Sequence, residues 1–255
     1  MTEGPSAPPA SLPTLADALG IGPDDLVCAV GAVGAGGKQS LLSHLARDLD
    51  GVLTSTVRIS VFDDEVAEVV VTDTPETAVV ETPTRPLGVV AERERPDRYR
   101  GYDPATVDRV ARATDDVVLV KADGARSRWL KAPGEDEPQL PDTADLVCPV
   151  ASVRVVGEPL TDERVHRPEL VSDVSGTAVG DAISEWDVAA VLANDRGGMK
   201  DVPETARVVP VLDMVDDERL AETADEIAGW LCEHPRVERV VATSLADDDP
   251  VVGFY

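Results

Sequence analysis

The sequence predicts a mixed α/β protein whose mainly parallel sheet is covered by helices on both faces. Short apolar runs recur along the chain and show no polar face, as the buried strands of a parallel sheet do. Segments with apolar residues at helical spacing alternate with several of these runs. Hydrophobic residues make up 43% of the chain and aromatic residues only 3%. The core must therefore be built from Val, Leu, Ile and Ala.

The elements follow one another in the order expected for strand–helix units. The runs predicted to be strands are residues 26–30, 51–54, 66–72, 117–120, 144–150, 208–212 and 237–242. The segments predicted to be helices are residues 12–19, 40–47, 104–113, 181–192 and 217–232. Three prolines among small residues predict a flexible tail over residues 1–12. Residues 13–255 are then expected to form a single domain.

The charge of the chain excludes several classes of protein. Its 255 residues carry 49 acidic and 23 basic side chains, which gives a net charge of −26. A surface of this sign repels polyanions, so a nucleic-acid partner is not expected. Only four of the basic residues are lysines, and this acidic, lysine-poor composition predicts a salt-adapted (halophilic) source, with an ordinary acidic cytosolic protein as the alternative.

No segment approaches the ~20 apolar residues of a membrane span, so we expect a cytoplasmic protein without a membrane partner.

The strongest functional signal is a glycine-rich loop between the first predicted strand and the next helix. Residues 34–38 read Gly-Ala-Gly-Gly-Lys. In this position the N–H groups of a loop and of a helix N-terminus bind phosphates, and a lysine neutralises them. The usual phosphate-loop pattern has Gly where this chain has Ala32, and Ser or Thr where it has Gln39; the alternative is a glycine turn for close helix packing. The residues predicted to bind nucleotide are Gly34, Ala35, Gly36, Gly37, Lys38, Gln39 and Ser40.

A magnesium site is predicted beside this loop. Asp123 follows the apolar run 117–120, where phosphate-loop proteins place the carboxylate that holds Mg²⁺ or its water. Alone, an Asp after a strand indicates only a turn or cap. Ser40 would supply a hydroxyl ligand, unless Gln39 at the usual ligand position leaves that place to water. Thr56 would line the metal side unless it is an ordinary strand threonine. In an enzyme, Lys38 and Asp123 would be the catalytic residues.

A cluster of basic residues predicts a second anion site. Arg126, Arg128 and Lys131 follow Asp123 closely, and His166 and Arg167 form another basic pair. Cations gathered near a phosphate site in so acidic a chain favour binding of a γ-phosphate, a phosphorylated pterin, or an oxyanion of molybdenum or selenium. The alternative is that they form salt bridges with neighbouring glutamates and aspartates.

In combination, these motifs resemble those of the YqeC family, described as accessory proteins of selenium-dependent molybdenum hydroxylases. The resemblance rests on residues 33–38, 54–56, 121–133 with Glu137 and Pro138, and 165–169. It extends from about residue 14 to residue 243. It implies a P-loop NTPase-like fold and a role in making or inserting a hydroxylase cofactor.

Two departures from the family pattern bear on the nucleotide. Gln39 stands where family members often have Thr or Ser. Residues 213–216 read Asp-Met-Val-Asp, where the family often has the Asn-Lys/Gln-x-Asp arrangement that reads guanine. These departures weaken the case for GTP, so the nucleotide is left open between ATP, GTP and a nucleotide-containing cofactor.

The function predicted from the sequence is that of a Mg²⁺-dependent accessory protein that binds ATP or GTP. It would act in maturation or insertion of a molybdenum hydroxylase cofactor, with or without selenium, and as an enzyme it would be an NTPase or a phosphoryl or nucleotidyl transferase. Its partner would be a molybdenum hydroxylase or a cofactor-maturation protein. The alternative is a non-catalytic protein whose nucleotide-bound state gates docking to a hydroxylase or cofactor carrier.

Overall fold

A computed structural model describes residues 12–21 and 29–255 of the chain. The predicted tail lies outside the described residues apart from Leu12, which is exposed and belongs to no helix or strand. The first three residues of the predicted strand 26–30 also lie outside them. The remainder of that strand is confirmed, since a strand begins at Ala29.

The strands of the described residues are β1 (Ala29–Gly34), β2 (Val52–Ser55), β3 (Arg58–Ser60), β4 (Glu68–Val71), β5 (Leu87–Val90), β6 (Glu92–Arg95), β7 (Arg98–Arg100), β8 (Val118–Lys121), β9 (Leu130–Lys131), β10 (Leu146–Ser152), β11 (Val165–His166), β12 (Arg207–Val208), β13 (Val211–Asp213), β14 (Val241–Thr243) and β15 (Val251–Phe254). The α-helices are α1 (Leu15–Ala18), α2 (Lys38–Asp48), α3 (Pro75–Glu81), α4 (Pro104–Ala113), α5 (Pro168–Ser175), α6 (Glu185–Leu192) and α7 (Glu218–Leu231). A short 3₁₀ helix covers Val153–Val155.

The main sheet has the strand order β15-β14-β13-β10-β1-β8-β2-β5-β4, and β12 also pairs with β10. All of its pairs are parallel except that of β14 with β15. The carboxyl ends of β1, β8, β13 and β14 therefore lie along the same edge of the sheet. Loops that follow these four strands can meet there, which is where open α/β sheets bind ligands.

Helices cover both faces of the sheet, as predicted. Alternate residues of one strand enter different apolar clusters: Leu119 of β8 packs with α1 and α2, whereas Val118 and Val120 pack with α4. The same alternation occurs in β13, where Val211 joins the first cluster and Leu212 joins the side chains of α6 and α7. A strand that is buried on both faces shows no polar face, which explains the apolar runs of the sequence.

Most predicted elements have somewhat different bounds in the structure; the helix predicted over 12–19 covers Leu15–Ala18, and the strand predicted over 237–242 covers Val241–Thr243. Two further differences have a clear local cause. The helix predicted over 181–192 begins at Glu185, because Ser184 and Asp187 form a capping box that fixes its start. The predicted strand 208–212 is divided into β12 and β13. Pro210 lies between them and lacks the N–H that a continuous strand would need.

Two small sheets were not predicted. The strands β3, β7 and β6 form an antiparallel sheet, and β9 pairs with β11 in parallel. Strand β6 reads Glu-Arg-Glu-Arg, so it carries no apolar signal. In the described part of the chain, no helix combines the length and the apolar character needed to cross a membrane.

Candidate functional site

The glycine loop between β1 and α2 makes a tight turn against the neighbouring strand. Gly34 has φ +86° and Gly37 has φ +96°, values that side chains other than glycine rarely adopt. A Cβ atom at Gly34 would overlap the carbonyl oxygen of Val150 in β10, and one at Gly37 would overlap the Asp213 carboxylate. Glycine is thus required at both positions for the loop to lie this close to β10 and to the end of β13.

The backbone N–H groups of this turn are available to a ligand. Gly37 caps α2 without a side-chain hydrogen bond, and the first bond of the helix runs from the Leu41 N–H to the Gly37 carbonyl at 2.9 Å. The N–H groups of residues 36–40 have no hydrogen-bond partner among the residues that the structure describes. Unpaired N–H groups at a helix N-terminus favour an anion.

Lys38 and Asp123 form a buried ion pair behind the loop. Strand β8 lies beside β1, and Asp123 is the second residue after its end. Lys38 Nζ lies 2.6 Å from Asp123 Oδ1 and also contacts the carbonyl oxygen of Gly34. The Gly34 N–H donates to Asp123 Oδ2 at 3.0 Å. Both side chains are at most 5% exposed, and burial lowers the pKa of Lys38 although Asp123 acts to raise it.

A second buried cation binds the same carboxylate. Lys131 Nζ lies 2.9 Å from Asp123 Oδ2 and 2.7 Å from Glu137 Oε2, and it donates to the Gly124 carbonyl at 2.6 Å. Arg167 Nη1 donates to Glu137 Oε2 at 2.6 Å. Burial alone would raise the pKa of Glu137, but the hydrogen bonds from Lys131 and Arg167 outweigh burial and lower it to about 2. Lys131 and Arg167 are therefore already neutralised by carboxylates.

A cavity of about 650 Å³ opens beside the loop, at the carboxyl edge of the sheet. Its lining residues are Gly36, Gly37, Lys38, Gln39, Ser40, Arg58, Ser60, Arg98, Lys121, Gly124, Ala125, Arg126, Ser127, Arg128, Trp129, Asp213, Met214, Asp216, Leu245 and Ala246. This volume is in the range of small-molecule sites, which span about 300–1,000 Å³. The loops after β1, β8, β13 and β14 all contribute to it.

The structure divides the residues predicted to bind a second anion. Arg126 and Arg128 line the cavity, whereas Lys131, His166 and Arg167 do not. Burial, with the charges of Arg167 and Lys131, lowers the pKa of His166 to about 4, so its ring is uncharged at neutral pH.

The structure also separates the residues that were predicted to hold a metal, since not all of them line the cavity. Ser40 is exposed and lines the cavity. Thr56 does not line it, and its hydroxyl donates to the Gln139 carbonyl at 2.6 Å. Within the described ranges, no group of three or more His, Cys, Asp or Glu side chains could hold a metal ion.

Several residues of the cavity were missed by sequence reasoning. Arg58, Ser60 and Arg98 lie on β3 and β7 of the unpredicted antiparallel sheet. Lys121, the last residue of β8, could have been found because it is one of only four lysines in the chain. Leu245 and Ala246 follow β14 and carry no chemical signal of their own.

Fold and site together define a mixed α/β protein with a glycine loop and a basic cavity at the carboxyl edge of a mostly parallel sheet. The family model described as "YqeC protein" matches residues 30–169. A relative from Escherichia coli (strain K12), described as "Uncharacterized protein YqeC", is 30% identical over 187 residues, which cover 71% of this chain and 73% of the relative. The chain belongs to the YqeC family. No solved structure matches it.

Proposed function

We propose that the protein binds a nucleoside triphosphate with Mg²⁺ at the glycine loop and acts in maturation of a molybdenum hydroxylase. The observation that carries the proposal is the set of unpaired N–H groups at residues 36–40, with the Lys38 ammonium beside them and the cavity in front of them. These groups are the donors that a chain of phosphates requires. The hydroxylase setting is supported by the family resemblance.

Lys38 would exchange partners when phosphate binds. In the structure its ammonium neutralises Asp123, which keeps Lys131 as a second cation. A phosphate at the loop would attract Lys38 out of this pair; Asp123 Oδ2 would retain Lys131 and the Gly34 N–H, and Oδ1 would be left for a water. The side chain is thus held close to the place where it would act.

The residues present fit a magnesium ion that is bound mainly through water. Asp123 Oδ1 is, among described residues, the buried side-chain oxygen without an aligned hydrogen bond, since Lys38 contacts it only as an ion pair. This oxygen can accept a hydrogen bond from a metal-bound water, and the Ser40 hydroxyl at the cavity is a direct ligand of the right chemistry. When bound, Mg²⁺ would neutralise charge on the phosphates.

One observation favours the non-catalytic alternative, in which nucleotide binding gates docking. The carboxylates that line the cavity in the described chain are Asp213 and Asp216. Asp213 accepts hydrogen bonds from Thr243 and Leu245, and Asp216 accepts one from Ser244 and pairs with Arg154. Asp216 uses both of its oxygens in these contacts, and Asp213 is fixed through Oδ1, so no carboxylate at the cavity is held against a water by the protein and slow hydrolysis by the isolated protein is expected.

Calorimetric titration with ATP and with GTP, each with Mg²⁺ and with EDTA, tests the proposal. We expect saturable binding of at least one triphosphate and tighter binding with Mg²⁺. The matched variants are Ser40→Ala, which should lose part of the Mg²⁺ effect, and Ser43→Ala, which lies one turn further along α2 and should not. Absence of binding for both triphosphates would refute the proposal. Phosphate release, with and without a purified apo-hydroxylase, then separates the enzyme from the docking protein.

A further inference from the structure

The two ends of the cavity differ in charge. Asp213 and Asp216 line one end, after β13. The basic end is formed by Arg98 of β7, Lys121 of β8, and Arg126 and Arg128 of the loop after β8. In a chain with net charge −26, four basic side chains around one end of a cavity are a marked departure from the average surface.

Three of the four cations at the basic end form no ion pair among the described residues. The guanidinium groups of Arg126 and Arg128 make no hydrogen bond or ion pair within the described ranges. Lys121 Nζ donates to the uncharged Arg58 carbonyl at 2.9 Å, and the closest carboxylate oxygen of Asp97 lies 3.5 Å from Arg98 Nη1. Lys131 and Arg167, by contrast, share Glu137. Arg58 and Lys38 also line the cavity but pair with Glu94 and Asp123, each at 2.6 Å. Arg126, Arg128 and Lys121 are thus the lining cations without a carboxylate partner in the described chain.

The local potential is consequently positive. Burial lowers the pKa of Lys121 to about 7, and the neighbouring charges of Lys38, Lys131 and Arg98 act in the same direction, against the single opposing charge of Asp123. A bound anion would relieve this repulsion. Arg126 and Ser127 also have φ values of +50° and +59°, in the left-handed region that non-glycine residues adopt rarely and mostly where function requires it.

We propose that this basic end binds a second anion, the phosphate group of a small co-substrate, while a nucleoside triphosphate occupies the glycine loop. Guanidinium groups match phosphate oxygens in geometry and keep their charge at any physiological pH. The two sites are built by different elements: the loop and Lys38 come from the β1–α2 junction, and the basic end comes from β7, β8 and the loop after β8. The second site deepens the proposed function and rests on it for the identity of the first ligand.

Inorganic phosphate is the probe that tests the second site. The wild-type protein is saturated with a non-hydrolysable ATP or GTP analogue and Mg²⁺, and phosphate is titrated in at constant salt. Phosphate should still bind to this complex. In the double variant Arg126→Gln/Arg128→Gln, the affinity for phosphate should fall by about tenfold or more, because two charge-assisted contacts are removed. Affinity for the triphosphate analogue should change less than about twofold.

The matched control is Arg95→Gln/Arg112→Gln, which removes the same charge at two exposed positions that do not line the cavity. This variant should bind phosphate as the wild type does. Thermal melts should show both double variants to be folded, because Arg126 and Arg128 carry no structural pair among the described residues.

Three results would overturn the second site: no phosphate binding, phosphate binding abolished by the triphosphate analogue, or unchanged phosphate binding in Arg126→Gln/Arg128→Gln. Failure of the proposed function gives a different pattern. If no triphosphate binds, phosphate titrated into the unliganded protein should still distinguish the cavity variant from the control variant.

Discussion

Lys38 Nζ and Asp123 Oδ1 lie 2.6 Å apart, and Lys131 Nζ approaches the other oxygen of the same carboxylate at 2.9 Å. One buried negative charge thus holds two buried positive charges at the carboxyl ends of β1 and β8. This arrangement joins the glycine loop to the loop after β8.

Replacing Lys38 by Ala should weaken nucleotide binding about 10- to 100-fold, because a charge-assisted contact is worth about 1.5–3 kcal/mol. The folded protein should persist, since Asp123 keeps Lys131 and the Gly34 N–H as partners. Lys200→Ala removes a lysine outside the cavity and is the control. Calorimetry showing equal affinities for Lys38→Ala and the wild type would contradict a phosphate-binding role.

Asp123→Asn should lower the free energy of unfolding by about 3–5 kcal/mol, as expected when one partner of a buried ion pair is removed. Two ammonium groups would then be buried without the carboxylate between them. Asp136→Asn, at an exposed position, should change stability by less than about 0.5 kcal/mol. Urea denaturation measures both. The added substitution Lys38→Met should restore part of the loss, because Asp123 is the carboxylate with which Lys38 pairs; a double variant less stable than Asp123→Asn would contradict this electrostatic account.

Acid should destabilise the protein through Glu137. Its pKa is lowered from 4.5 to about 2 in the folded state, so the stabilisation is present above about pH 4.5 and is lost as the pH falls from there toward 2. The difference corresponds to about 3 kcal/mol. Glu137→Gln should therefore be less stable than the wild type at pH 6, and the gap should narrow at low pH. A gap independent of pH between 2 and 6 would show that the carboxylate charge is not the cause.

Preference for GTP over ATP should be less than about tenfold, or about 1.4 kcal/mol. Discrimination of guanine requires polar groups that are free to meet its edge. Both oxygens of Asp216 are in contact with Ser244 or Arg154, Asp213 Oδ1 is bound to Thr243 and Leu245, and the Asn and Lys that usually accompany such an Asp are absent. Competition between the two triphosphates measures the ratio, and Asp216→Asn should leave it unchanged. A hundredfold preference for GTP that Asp216→Asn abolishes would assign guanine recognition to this side chain.

Much of the fold could be predicted from apolar patterning. The bounds predicted for α4, residues 104–113, are those observed, since Asp103 caps the helix and Pro104 begins it. Strand β5 was not predicted, because it is wholly buried but only four residues long. The sheet of β3, β6 and β7 was not predicted either, because charged residues occupy most of its positions. Short or charged strands are formed by tertiary contacts that a pattern within one segment does not contain.

Those parts of the candidate site that a short motif marks, such as the glycine loop, could be predicted from the sequence. The sequence marks the glycine loop and Asp123 each after a predicted strand, and the structure brings Lys38 and Asp123 together because β1 and β8 are neighbours. The division of the basic residues was not predictable. Lys131 and Arg128 are three residues apart, yet one pairs with buried carboxylates and the other lines the cavity. Lys131 is fixed by the pairing of β9 with β11 and by its carboxylate partners, contacts that the local sequence does not contain.

The bond from Lys131 Nζ to the Gly124 carbonyl closes residues 124–131 into a ring whose two ends are tied to each other. The Trp129 N–H, near one end, is held by the Arg164 carbonyl at 2.7 Å. The N–H groups of Arg126 and Ser127, the tip of the ring, have no partner among the described residues, whereas the Arg128 N–H donates to the Ala125 carbonyl at 3.0 Å. We therefore expect motion within the ring to be greatest at this tip. The tip can adjust to an arriving molecule on the timescale of a surface loop while Asp123 keeps its place. Amide hydrogen exchange should accordingly be fast at the tip and slow at Trp129 and Leu130.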